Sequence, residues 1–96
     1  MKGYVIADLE VHDDEGMEEY RKLVPACVEA YGGRYLVRGG NIETREGDWA
    51  PERLVVLEFD SPEQARRWYD SEDYAKLKEM RLACADGPLL IAEGAE

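Results

Sequence analysis

One histidine, two cysteines, one phenylalanine and no apolar run near the roughly 20 residues that cross a bilayer mark what this sequence has little of. A lone His and two distant Cys cannot supply the ligand spacing of a zinc site, so no metal is expected. Basic residues are scarce as well. Twelve Lys and Arg stand against 22 Asp and Glu, and the formal charge of −10 repels phosphate backbones and anionic lipid surfaces. Neither nucleic acid nor membrane is therefore an expected partner. Met1, Lys2 and Gly3 do not open a signal peptide, because the apolar stretch that follows is interrupted at Asp8 and Glu10. The expected compartment is the cytoplasm, where Cys27 and Cys84 would be buried free thiols.

What remains is a chain with 45% hydrophobic residues, enough for one core in one domain spanning residues 1–96. A domain of this size buries only about 60–65% of the surface its unfolded chain exposes and is marginal alone. Residues 4–11 alternate, with Val5, Ala7, Leu9 and Val11 on one face and Tyr4, Ile6, Asp8 and Glu10 on the other, which predicts a first strand. Asp13, Asp14 and Glu15 offer capping carboxylates to a helix. Its stripe is Met17, Tyr20, Leu23, Val24, Cys27, Val28 and Tyr31, with a Glu18–Lys22 pair outside. Pro25 removes one backbone donor from that helix and predicts a kink, and Gly32 and Gly33 end it.

Residues 34–38 read as a second strand, broken at Gly39 and Gly40 by a bulge or a close backbone approach, with the polar segment 41–51 extending it before the chain crosses over. Residues 53–59 form the third strand, nearly continuous in apolar character and central in the sheet. Ser61, Pro62 and Gln64 predict a helix start with a capping box, and Ala65, Trp68 and Tyr69 face inward. Ser71 begins a second helical piece with the stripe Tyr74, Leu77, Met80, Arg81 and Cys84, stopped by Gly87 and Pro88 before a last strand at 89–92. The order β-α-β-β-α-β is the split βαβ arrangement: an α+β, ferredoxin-like fold with a four-stranded antiparallel sheet and helices on one face. The uncovered face needs polar residues or a partner, and a second copy of the chain is the expected one.

The Gly3-Tyr4-Val5-Ile6 start, Tyr31-Gly32-Gly33-Arg34-Tyr35, Arg38-Gly39-Gly40, Glu46-Gly47, Arg53, Phe59-Asp60-Ser61, Trp68-Tyr69-Asp70-Ser71, Tyr74 and Arg81 together resemble domain-of-unknown-function family 1330 (DUF1330) over nearly the whole chain. The resemblance implies a homodimer that pairs two ferredoxin-like sheets as a dimeric α/β barrel, with no assigned reaction. At the level of fold alone, that barrel also includes cofactor-free monooxygenases and lactone isomerases.

Arg38 ends a strand beside two glycines, so a ligand could approach the backbone while the guanidinium binds its carboxylate; the alternative is an ion pair with Asp8, Glu10 or Glu58. Arg53 and Arg81 carry the same ambiguity. Tyr20, Trp68, Tyr69 and Tyr74 either line an apolar pocket between helices and sheet or are plain core. His12 has the one side chain suited to proton transfer near neutral pH, but it reads as a solvated loop residue. Asp8 and Glu10 share a strand face without making a case for acid–base work, so no catalytic residue is assigned. The expected function is cofactor-free binding of a small organic molecule, anionic where Arg38 receives it. The alternatives are a cofactor-free monooxygenase- or isomerase-like enzyme acting on a small aromatic or lactone, and a structural or regulatory dimer.

Overall fold

A computed structural model describes residues 1–95; Glu96, the last residue of the expected domain, lies outside the described residues. The elements are β1 (Gly3–Asp8), β2 (Glu10–Val11), α1 (Asp14–Ala30), β3 (Arg34–Arg38), β4 (Leu54–Phe59), α2 (Pro62–Tyr69), α3 (Glu72–Cys84), β5 (Ala85–Asp86) and β6 (Leu89–Glu93). Four of the strands form an antiparallel sheet in the order β3-β4-β1-β6, so β4 is central as its apolar sequence predicts.

Strand alternation divides the sheet. Val5 lies opposite Leu57 and Ile91, and Ala7 opposite Val55 and Leu89; this face packs under the helices. Met17, Tyr20, Val24 and Val28 of α1, Ala65 and Trp68 of α2, and Tyr74 and Leu77 of α3 complete the core. Trp68 is at its centre, with its ring centroid 4.2 Å from Tyr74 and 5.6 Å from Phe59. On the other face Ile6 lies opposite Val56 and Leu90, and no helix covers the row; Leu90 is 56% exposed.

Local chemistry fixes the helix ends. Asp13 accepts a bond from the Gly16 N–H, and Gly32, at φ +78°, ends α1 in the left-handed turn that places the Gly33 N–H 2.9 Å from the Val28 carbonyl. Ser61 caps α2 through the Gln64 N–H at 3.0 Å, but the expected capping box is only half made. The Gln64 side-chain amide instead donates to the Tyr31 carbonyl at 2.8 Å, tying the start of α2 to the end of α1. Likewise Glu18 pairs with Arg21 at 3.5 Å, one helical turn away, rather than with Lys22.

Four features differ from what the sequence predicts. The first strand stops at Asp8 and resumes at Glu10, yet the pairs Ala7↔Leu89 and Glu10↔Asp86 belong to one unshifted register. Between them stand Gly87 and Pro88, and Pro88 has no N–H to donate, so the ladder is interrupted rather than ended. Helix α3 therefore hands over to strand at Ala85, before the Gly87-Pro88 stop. Of the bulge or close backbone approach expected at Gly39 and Gly40, the bulge falls within β3, where the register shifts between Tyr35 and Val37, and open space lies beside Gly40. Finally, the segment after Arg38 adds no strand before Leu54. Its Trp49 indole donates to Asp8 at 2.8 Å, and the Thr44 hydroxyl donates to the Trp49 carbonyl at 2.8 Å.

On the helix-free face Glu58 is nearly buried and fully engaged. Tyr4 donates to it at 2.9 Å, and Arg34 donates through Nε at 2.7 Å. The Tyr4 hydrogen bond, followed by those of Arg34, holds the Glu58 carboxyl below the usual carboxylate range. Its stabilising contribution is therefore present above the unfolded value of 4.5 and disappears as pH falls through the lower folded value. Glu58→Gln should thus flatten the loss of urea stability below pH 4.5 relative to the parent. Parallel pH profiles for the two proteins would show that Glu58 does not drive this acid sensitivity.

Candidate functional site

Between the helix-covered face of the sheet and the helices lies a cavity of about 240 Å³. Its apolar wall is made by Val5, Ala7 and Leu57 from the sheet and by Met17, Val24 and Trp68 from the helices. The charged residues on this wall are all cations: Arg21 of α1, Arg38 of β3, Arg53 just before β4 and Arg81 of α3. No carboxylate joins them in a chain whose formal charge is −10. Arg21 reaches out to Glu18, whereas Arg38, Arg53 and Arg81 have no ion-pair partner among the described residues. Arg81 is 5% exposed, and the Nε atoms of Arg21 and Arg81 are buried without a hydrogen-bond partner.

Pro25 explains how Arg38 is held. In α1 the carbonyl of Arg21 would accept from the N–H of the residue four positions on, and that residue is proline. The vacated acceptor is taken by Arg38, whose Nη2 donates to the Arg21 carbonyl at 2.9 Å. The guanidinium also lies over the Tyr35 ring, 4.6 Å from its centroid. A helix defect thus becomes a bracket for a strand-borne cation, and α1 continues past Pro25 to Ala30. None of the acids that sequence offered to Arg38 takes it: Glu58 is bound by Arg34 and Asp8 by Trp49.

Tyr20 and Tyr74 meet in the cavity wall, with hydroxyl oxygens 2.8 Å apart. Burial, reinforced by the neighbouring Tyr74, pushes the Tyr20 phenol far above its ordinary range, and burial raises Tyr74 too. Both therefore remain protonated near neutral pH, serving as hydrogen-bond groups rather than bases.

Of the residues singled out from sequence, Arg38, Tyr20, Trp68 and Tyr74 line this one cavity, and so do Arg53 and Arg81. Tyr69 does not. One residue beyond Trp68 on the same helix, it is half-buried against the core, its ring centroid 6.0 Å from that of Tyr74, with Lys78 Nζ 3.9 Å over its ring. His12 is exposed, 3.7 Å from Asp86 and away from the cavity lining. Arg21 escaped the sequence reading, although its position four residues before a helical proline signals a free carbonyl. Among the described residues, no three His, Cys, Asp or Glu side chains gather where they could hold a metal ion, and no helix is long and apolar enough to cross a membrane.

The split βαβ topology makes this a ferredoxin-like α+β protein. The chain belongs to the family described as Domain of unknown function (DUF1330), whose model matches residues 2–95. No curated protein matches it in sequence. Solved structures share the fold at low identity. A protein of unknown function from Rhodopseudomonas palustris is 15% identical with a TM-score of 0.76, the alignment covering 99% of this chain and 83% of that one. SnoaB, a cofactor-independent oxygenase from Streptomyces nogalater, is 11% identical at a TM-score of 0.69, with 99% and 94% covered. A dimeric ferredoxin-like protein of unknown function from Jannaschia sp. CCS1 is 13% identical at a TM-score of 0.65, with 100% of both chains covered.

Pro25→Ala would return an amide donor to the Arg21 carbonyl. The variant should gain stability in urea by about 1–3 kcal/mol, since interior proline is the poorest helix residue. It should also free the Arg38 guanidinium, seen as a lower order parameter at the Arg38 Nε in nitrogen-15 relaxation. An unchanged order parameter would mean that Tyr35 stacking alone holds the side chain.

Proposed function

We propose that this protein is a homodimer that binds a small organic anion, without a cofactor, in the cavity between its helices and sheet. The observation that carries the reading is the wall itself: four guanidinium groups, no carboxylate, and an otherwise apolar and aromatic lining. Removing a cation from water is costly unless it is paired, and Arg81, nearly buried, has no acidic partner within the described chain; Arg38 and Arg53 are unpaired too but keep contact with water. A carboxylate ligand would supply the missing charge with bidentate geometry, while Trp68 and the sheet residues cover its apolar body. The cavity is smaller than the ~300 Å³ at which drug-sized pockets begin, which favours a single ring or a short chain.

The alternative of a cofactor-free oxygenase or isomerase draws support from the fold shared with SnoaB. It lacks a base in this cavity, because burial raises the pKa of all three phenols there, Tyr20, Tyr35 and Tyr74, and His12 lies elsewhere. Binding is therefore the better reading. Calorimetry with benzoate and benzamide separates anion recognition from simple apolar filling. Benzoate should bind and benzamide should not, and Arg38→Ala should weaken benzoate while leaving the circular-dichroism spectrum intact. Equal affinity for the two probes would sink the anion reading.

The second copy is proposed for the helix-free sheet face. Leu36, Val37 and Leu90 are exposed there beside half-buried Ile6 and Val56, and the neighbour from Jannaschia is described as dimeric. Pairing these faces about a two-fold axis would bury an apolar row that a domain this small cannot cover by itself. Sedimentation equilibrium at micromolar concentration should give twice the 10.9 kDa chain mass. A folded monomer under those conditions would rule the dimer out.

A further inference from the structure

The geometry points to a ligand with two anionic ends, a small dicarboxylate with an apolar or aromatic middle, whose inner end is received by Arg81 and the Tyr20–Tyr74 pair. This rests on the reading of the cavity as an anion site and goes further by naming what the anion must be.

The four arginines are not equivalent. Arg38 is exposed and Arg53 half-exposed, so both can keep water, and Arg38 is already fastened to the Arg21 carbonyl. Arg81 is nearly buried on α3, its Nε has no partner, and no carboxylate pairs with it. An anion held at the exposed arginines would leave Arg81 as an uncompensated interior charge, which a folded protein tolerates poorly. A second negative group inside the cavity would remove that deficit.

The tyrosine pair supplies an independent observation. Two phenols carry two hydrogens, and the bond between them uses one. The other hydrogen has no acceptor among the described residues, although both side chains are buried. Buried hydroxyl donors nearly always find an acceptor, so this hydrogen also calls for one. Arg81 lies close enough to both phenols for its charge to oppose the upward shift that burial imposes on them. A guanidinium and a neutral O–H donor together suit a carboxylate, which accepts at both oxygens. Apolar residues, Leu9, Val55, Leu57 and Trp68 among them, make up most of the remaining cavity wall and would flank an uncharged middle.

Calorimetry in low-chloride buffer with terephthalate against monomethyl terephthalate, and adipate against monomethyl adipate, tests this directly, because each pair differs by one charge at nearly constant shape. Within at least one pair the diacid should bind about tenfold more tightly, the value of one added charge-assisted bond. Arg81→Met should close the gap between that diacid and its monoester, with no drop in urea midpoint, since an apolar side chain replaces a buried unpaired charge. Tyr74→Phe, which keeps the ring, should narrow the same gap. Monoesters that bind as tightly as their diacids, or an Arg81→Met variant that weakens both equally, would overturn the dianion and leave the anion site standing. Failure of all four acids and of benzoate would overturn both.

Discussion

Everything in this fold follows from a mismatch between a sheet with two apolar faces and helices that can cover only one. β1 and β4 carry Val5, Ala7, Leu57 and Phe59 toward α1, α2 and α3, and Ile6 and Val56 the other way. Each aliphatic or aromatic side chain moved out of water contributes roughly 1.5–3 kcal/mol, so neither face is dispensable in a chain of 96 residues. The helix side is resolved within the chain. The other side carries a nearly buried Glu58, held by Tyr4 and Arg34, next to an open aliphatic row, a mixture of satisfied polar groups and apolar surface that suits an interface.

The helix side is not filled to closure, and its gap is where the chemistry collects. Aromatic rings from α1, α2 and α3 meet the sheet around a cavity whose charged groups are all arginine. In so acidic a chain, acids could have been placed beside them, and Glu58 shows the protein doing so for Arg34. That contrast separates a structural arginine from the cavity arginines. Arg34 is spent on its own fold, whereas Arg38, Arg53 and Arg81 have charge to offer. Pro25 belongs to the same logic, giving up one helical hydrogen bond and leaving an acceptor that holds the Arg38 guanidinium.

By itself the sequence determined the element order and the faces. Period-two alternation in β1, the helical stripe from Met17 to Val28, the caps at Ser61 and Ser71 and the Gly32 terminator act over a few residues, and their geometry is nearly independent of the rest of the chain. The aromatic lining was legible for the same reason, since Tyr20 and Tyr74 fall on inward stripes. Tertiary structure alone decided the rest. Which acid takes which arginine depends on strand register, and that register gave Glu58 to Arg34 instead of Arg38. Whether an inward aromatic borders a cavity or only the core depends on a rotation of one residue, which separates Trp68 from Tyr69. The bond from Arg38 to the Arg21 carbonyl needs a strand to cross a helix at the one place where proline has left an acceptor free, and no local pattern encodes that meeting.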